Sequence, residues 1–138
     1  MKAIESVMIV EDNPIDIFIN TRVIEQSGLS SYIISQQSAR EALHYLKEAD
    51  HNNQPLPNLI LLDLRMPDMD GFEFLDQFSN LSTTIRSACK IIMLSSSLDP
   101  IDDEQARKHP DVISFISKPL TRDKLTALMN SNTVEIAN

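Results

Sequence analysis

Short apolar runs alternate along the chain with segments whose apolar residues recur at helical spacing. SVMIV (6–10), SYIIS (31–35), NLILLD (58–63), KIIMLS (90–95) and DVISFIS (111–117) are brief, β-rich and bounded by polar or turn-forming residues, so each predicts a strand. Pro14 suits a helix's first turn, and IDIFINTRVIEQSG (15–28) then carries Ile15, Phe18, Ile19, Val23 and Ile24 at helical spacing up to Gly28, a stop signal. SAREALHYLKEA (38–49) predicts a second helix, with Ser38 and Glu41 spaced as a capping box. DGFEFLDQFSNL (70–81) predicts a third. PIDDEQARKH (100–109), with an acidic first turn that suits the helix dipole, and TRDKLTALMN (121–130) predict the last two. HNNQPLPN (51–58) and LSTTIRSAC (81–89) read as connections.

Five strand-then-helix units with continuously apolar strands imply a parallel sheet covered on both faces. The expected fold class is α/β: a five-stranded parallel sheet, doubly wound, with helices on both faces. Right-handed crossovers send every strand's C-terminal end to one edge, where ligands bind in such folds. Of the 138 residues, few remain outside these units, so the expectation is a single domain over 1–138 with no output domain.

Composition removes several function classes. A formal charge of −8 and a pI near 4.7 would be repelled by a phosphate backbone or an anionic membrane, so neither nucleic acid nor membrane is an expected partner. The lone Cys89 can form no internal disulfide, and His44, His51 and His109 share no ligand spacing, which together suit a cytoplasmic protein without a zinc site. Only Gly28 and Gly71 are available, and neither sits in a phosphate-cradling loop, which disfavours a nucleotide or flavin site.

Polar residues at the strand ends carry the candidate chemistry. Strand one ends at Glu11 and Asp12, strand three at Asp63, strand four at Ser95, and strand five reaches Lys118 before Pro119. An aspartate at the end of LILLD is costly unless something there uses its charge. Carboxylates gathered at one edge call for a hard cation such as Mg²⁺, and an ionised carboxylate is a nucleophile able to form an acyl phosphate. Blander readings exist for single residues. Asp12 and Asp70 could each be a helix cap, Ser95 within SSS an ordinary loop hydroxyl, and Phe115 simply core.

The runs VEDN (10–13), LLDLRMPDMDG (61–71), MLSSS (93–97) and FISKPL (115–120) together resemble the receiver domain of two-component response regulators, with a flavodoxin-like, CheY-like fold. The resemblance covers nearly the whole chain. It implies that Asp63 accepts a phosphoryl group from a sensor histidine kinase or histidine phosphotransfer protein. It implies further that Glu11, Asp12, Asp63 and the backbone carbonyl of Arg65 bind Mg²⁺, that Ser95 and Lys118 contact the phosphoryl group, and that Ser95 and Phe115 form the switch. The surface around the fourth predicted helix and fifth strand would then signal to a downstream protein target, and a phosphorylation-dependent homodimer is among the partners the family allows. Such a protein is not an enzyme beyond catalysing its own phosphorylation and dephosphorylation. Glu11 departs from the family's commoner aspartate. A strand-end aspartate also serves aspartyl-phosphate phosphatases, but those place a second aspartate two positions later, where this chain has Arg65. The remaining alternative is an adaptor that uses the receiver fold without phosphorylation.

Overall fold

The computed structural model describes residues 3–131. Its five strands are β1 (Val7–Val10), β2 (Ile33–Gln36), β3 (Leu59–Asp63), β4 (Lys90–Ser95) and β5 (Val112–Ser117). Six helices connect and follow them: α1 (Pro14–Ser27), α2 (Ala39–His51), α3 (Gly71–Phe78), α4 (Thr83–Ala88), α5 (Pro100–Arg107) and α6 (Arg122–Met129). The strands form one parallel sheet in the order β2-β1-β3-β4-β5. The chain winds outward from β1 to β2, returns to β3 on β1's other side, and continues away, which puts the reversal of direction between β1 and β3. This is the doubly wound α/β architecture that the alternation of runs and periods predicts.

Both faces of the sheet are buried, and strand alternation divides them cleanly. Val7, Ile9, Leu59, Leu61, Ile92 and Leu94 face Ile24 of α1 and Leu125 of α6. Met8, Val10, Ile60, Leu62, Ile91 and Met93 face α2 to α5 through residues such as Leu46, Phe74, Phe78, Ile85 and Ala106. That two-sided burial is why β1 and β3 read as unbroken apolar runs, every residue of both being buried. β2 and β5, at the sheet edges, are mostly half-buried.

Helix ends follow local chemistry. Asn13 caps α1, its side chain accepting from the amides of Ile15 and Asp16, and Pro14 takes the first helical position. Gly28 closes the same helix at φ 77°, donating its N–H to Glu25. Asp70 and Glu73 form a complete capping box on α3. At α2 only half of the predicted box forms. Ser38 accepts from the Glu41 amide, while the Glu41 carboxylate accepts from Gln37 rather than from Ser38.

The largest departure from the sequence reading is α4, within the stretch 81–89 read as a connection. It has six residues, starts at a Ser82 cap and buries only Ile85, so it presents no repeated apolar period for a pattern to register. The fourth predicted helix is therefore α5. β2 also lies two residues later at its start than SYIIS suggested, and α3 ends three residues early, at a C-cap on Ser79.

Candidate functional site

The C-terminal edge of the sheet gathers side chains from β1, β3, β5 and α1. Glu11, Asp12 and Asp63 each offer a carboxylate oxygen, and these lie within 4.8 Å of one another. Their closeness follows from register, since Val10 pairs with Leu62 and the next residue on each strand carries the acid. Glu11 and Asp63 are buried and Asp12 is exposed. Asp12 does not cap α1; Asn13 does.

Lys118 reaches in from the end of β5. Its Nζ donates to Glu11 Oε1 at 2.7 Å and to Asp16 Oδ2 at 3.0 Å, and it lies 3.1 Å from Asp63 Oδ1. The other Glu11 oxygen, Oε2, accepts from the Asn13 amide. Burial would by itself lower the Lys118 ammonium, but hydrogen bonds to Glu11, Asp16 and Asp63 outweigh it and hold the pKa above the ordinary lysine value. Burial pushes the Glu11 carboxyl up to about 7, and the charge of Asp63 adds to the rise against the opposing bond from Lys118. One ammonium thus contacts three carboxylates, and one of them, Glu11, is left only partly ionised near neutral pH.

This donor set fits a divalent hard cation. All the donors are oxygens, the negative charge exceeds what Lys118 supplies, and the spread of 4.8 Å is one that small rotations can close around an ion with oxygen ligands at about 2.0–2.1 Å.

The remaining predicted residues lie close by in different states. Ser95 is buried at the end of β4, and its hydroxyl donates to the Ser97 carbonyl at 2.7 Å and accepts from the Ser97 amide, so its hydrogen bonds run to backbone and not to Asp63. Phe115, opposite Met93 on β5, is 6% exposed and sits in the core on the α2 to α5 face, outside the acidic cluster. The ends of β4 and β5 are locked together by the Lys118 amide donating to the Ser95 carbonyl at 2.8 Å. A cleft of about 430 Å³ opens over Asp63 and Lys118, with Asp16, Arg65, Ser96 and Pro119 completing its wall.

Residues 7–130 match the family model for the response regulator receiver domain. The chain belongs to that family. It is 31% identical over 119 residues to the probable methanogenesis regulatory protein FilR2 of Methanothrix harundinacea (strain 6Ac), covering 86% of this chain and 75% of that protein. It is 25% identical over 131 residues to the two-component response regulator ORR1 of Oryza sativa subsp. japonica, covering 94% of this chain and 55% of that protein, so it spans little more than half the rice protein's length. Among solved structures, a two-component response regulator from Cytophaga hutchinsonii superposes with a TM-score of 0.86 at 32% identity over 94% of this chain and 96% of that one. Receiver domains are the phosphoacceptors of two-component signalling, act with histidine kinases or phosphotransfer proteins, and bind Mg²⁺ at an acidic pocket. In this chain Glu11, Asp12 and Asp63 form an acidic cluster at the corresponding sheet edge.

Three residues of this neighbourhood escaped the sequence reading. Asp16, in the first turn of α1, is a second hydrogen-bonding carboxylate for Lys118. The signal was available, because a Pro14 start puts Asp16 in the turn that faces the sheet edge. Lys124 donates to the Ser117 carbonyl and hydroxyl and to the Pro119 carbonyl at 2.9 to 3.0 Å, bracing the segment that presents Lys118. Asp102, in the acidic first turn of α5, accepts from Arg65 at 2.8 Å. Neither of these last two leaves a trace in spacing. His109 is a packing residue: its ring lies against Phe78 and its Nε2 donates to the Leu75 carbonyl. Burial pushes the Cys89 thiol up to about 12, which leaves it unreactive near neutral pH.

Proposed function

We propose that Asp63 is the phosphoacceptor of this receiver, taking a phosphoryl group from a phosphohistidine on a sensor kinase or a phosphotransfer protein. The observation that carries this reading is the contact set of Lys118, whose single ammonium bridges Asp63 to Glu11 and Asp16 at the mouth of the cleft. Attack by an Asp63 oxygen on phosphorus forms the acyl phosphate O–P bond as the N–P bond to the donor imidazole breaks, and that nitrogen keeps the electron pair and takes a proton. Lys118 neutralises phosphoryl oxygens as charge accumulates on them. Glu11, Asp12, Asp63 and the Arg65 carbonyl would hold Mg²⁺, which when bound offsets the mutual repulsion of the carboxylates and the charge of the incoming group. Burial of Asp63 keeps bulk water from solvating the nucleophile.

Phosphorylation adds roughly −1.5 to −2 charge units and strong acceptor oxygens at Asp63. In this reading Ser95 leaves the Ser97 backbone to bond the phosphoryl group, Phe115 turns into the space vacated beside β4, and the surface of α5, β5 and α6 presents a new shape to a downstream protein. Inverting a 1:99 population takes about 5.5 kcal/mol, and hydrogen bonds to charged groups contribute about 1.5–3 kcal/mol each, so two or three new contacts suffice. The setting is cytoplasmic signalling; among the described residues no helix is long and apolar enough to cross a membrane.

Incubation with acetyl phosphate or phosphoramidate and Mg²⁺, followed by intact-mass measurement, tests the reading. Wild type should gain the mass of one phosphoryl group and Asp63→Asn should gain none. An unmodified wild type would leave the adaptor, a receiver fold working through its surface alone, as the better account.

A further inference from the structure

The cleft over Asp63 contains a second cation that the phosphorylation chemistry above leaves unused. Arg65 follows Asp63 by two residues and lines the cleft with Asp63 and Lys118, and its side chain is 63% exposed. Its Nη2 nevertheless donates to Asp102 Oδ2 at 2.8 Å, and Asp102, 16% exposed, lies in the first turn of α5. The loop after β3 is thereby tied to α5 across the mouth of the site. Capping does not require Asp102, because Asp99 already accepts from the Ile101 amide at that helix end.

We propose that Arg65 is a transferable phosphoryl ligand, held by Asp102 before phosphorylation and surrendered to the phosphoryl group afterwards, so that recognition of the phosphate and release of the first turn of α5 are one event. The inference rests on Asp63 being the phosphoacceptor. Two physical differences set the direction of exchange. A phosphoryl group carries roughly −1.5 to −2 charge units against the single charge of a carboxylate, and its oxygens match the guanidinium fork in a bidentate way. The tie it must displace is weak, an ion pair with one largely exposed partner holding by a factor of about five or less, and the same guanidinium fork gains more from the greater charge and extra acceptor oxygens of a phosphoryl group. Release leaves the Asp102 carboxylate unpaired at the N-terminal turn of α5, a change of charge and freedom on the surface that answers phosphorylation.

Titration of the full chain with beryllium fluoride, a phosphoryl mimic, in the presence of Mg²⁺ and followed by NMR, tests this in wild type, Arg65→Met, Asp102→Asn and the double variant. Asp102→Asn removes the competitor and should tighten binding about two- to fivefold. Arg65→Met should weaken it about tenfold, and Arg65→Lys, which keeps the charge without the fork, should recover part of the loss. In the Arg65→Met background the Asp102→Asn effect should vanish. An ion pair that only braces the fold would move both single variants in the same direction, and that result would overturn the proposal. So would two variants indistinguishable from a wild type that binds normally. A wild type that neither binds the mimic nor accepts phosphate fails at the earlier step, the assignment of Asp63.

Discussion

Replacing Glu11 by glutamine in metal-free protein should remove a loss of stability that wild type suffers as pH rises. The Glu11 side chain is 1% exposed and lies beside Asp63, and burial together with that charge moves its carboxyl from 4.5 to about 7 in the folded state. Below pH 4.5 the group is protonated in both folded and unfolded chains and contributes no difference. Between pH 4.5 and 7 the unfolded chain ionises first, so every pH unit disfavours the fold by up to about 1.4 kcal/mol; above pH 7 both states are ionised and the deficit is constant. From 4.5 to about 7 the total is about 3 kcal/mol. Urea melts in chelator, run at about pH 4.5 and about pH 8, should show wild type losing roughly this much relative to Glu11→Gln. Saturating Mg²⁺ should restore wild type, by about 2.7 kcal/mol at a hundredfold excess over Kd, and restore the variant less. An equal stability gap at both pH values, with chelator present, would refute the argument that Glu11 carries the site's excess proton.

Lys118→Met leaves Glu11 and Asp63 buried without their ammonium, and metal-free protein should lose about 3–5 kcal/mol in denaturant melts near neutral pH while phosphorylation by acetyl phosphate slows sharply. Ser95→Ala should cost about 1 kcal/mol through the lost Ser97 bonds, yet should blunt the NMR shifts of α5 and β5 on phosphorylation far more than so small a change implies. Gly71→Ala should destabilise by roughly 1–3 kcal/mol, because the added Cβ would stand 2.7 Å from Met93 Cε and 3.0 Å from Leu64 Cα, and the backbone atom cannot yield; an unchanged melt would contradict it. Lys124→Met removes three hydrogen bonds from one ammonium and should cost about 1.5–3 kcal/mol, with slower phosphorylation through a loosened Lys118 segment.

The sequence by itself determined the sheet and the places where chemistry could reside. Strands buried on both faces write themselves as unbroken apolar runs, and caps such as Asn13 with Pro14, or Asp70 with Glu73, act within a few residues, so local pattern carries both. The same alternation fixed one edge for all strand ends, which is why Glu11, Asp12, Asp63, Ser95 and Lys118 could be grouped before any contact was known. Tertiary structure alone decided the rest. The lone buried Ile85 of α4 is too little for a period, and its helix exists because the core has a place for that side chain. Which oxygen Lys118 grips, that burial raises the Glu11 carboxyl, and that Arg65 leans to Asp102 are outcomes of distances between residues up to 107 apart in sequence, and no local rule encodes them.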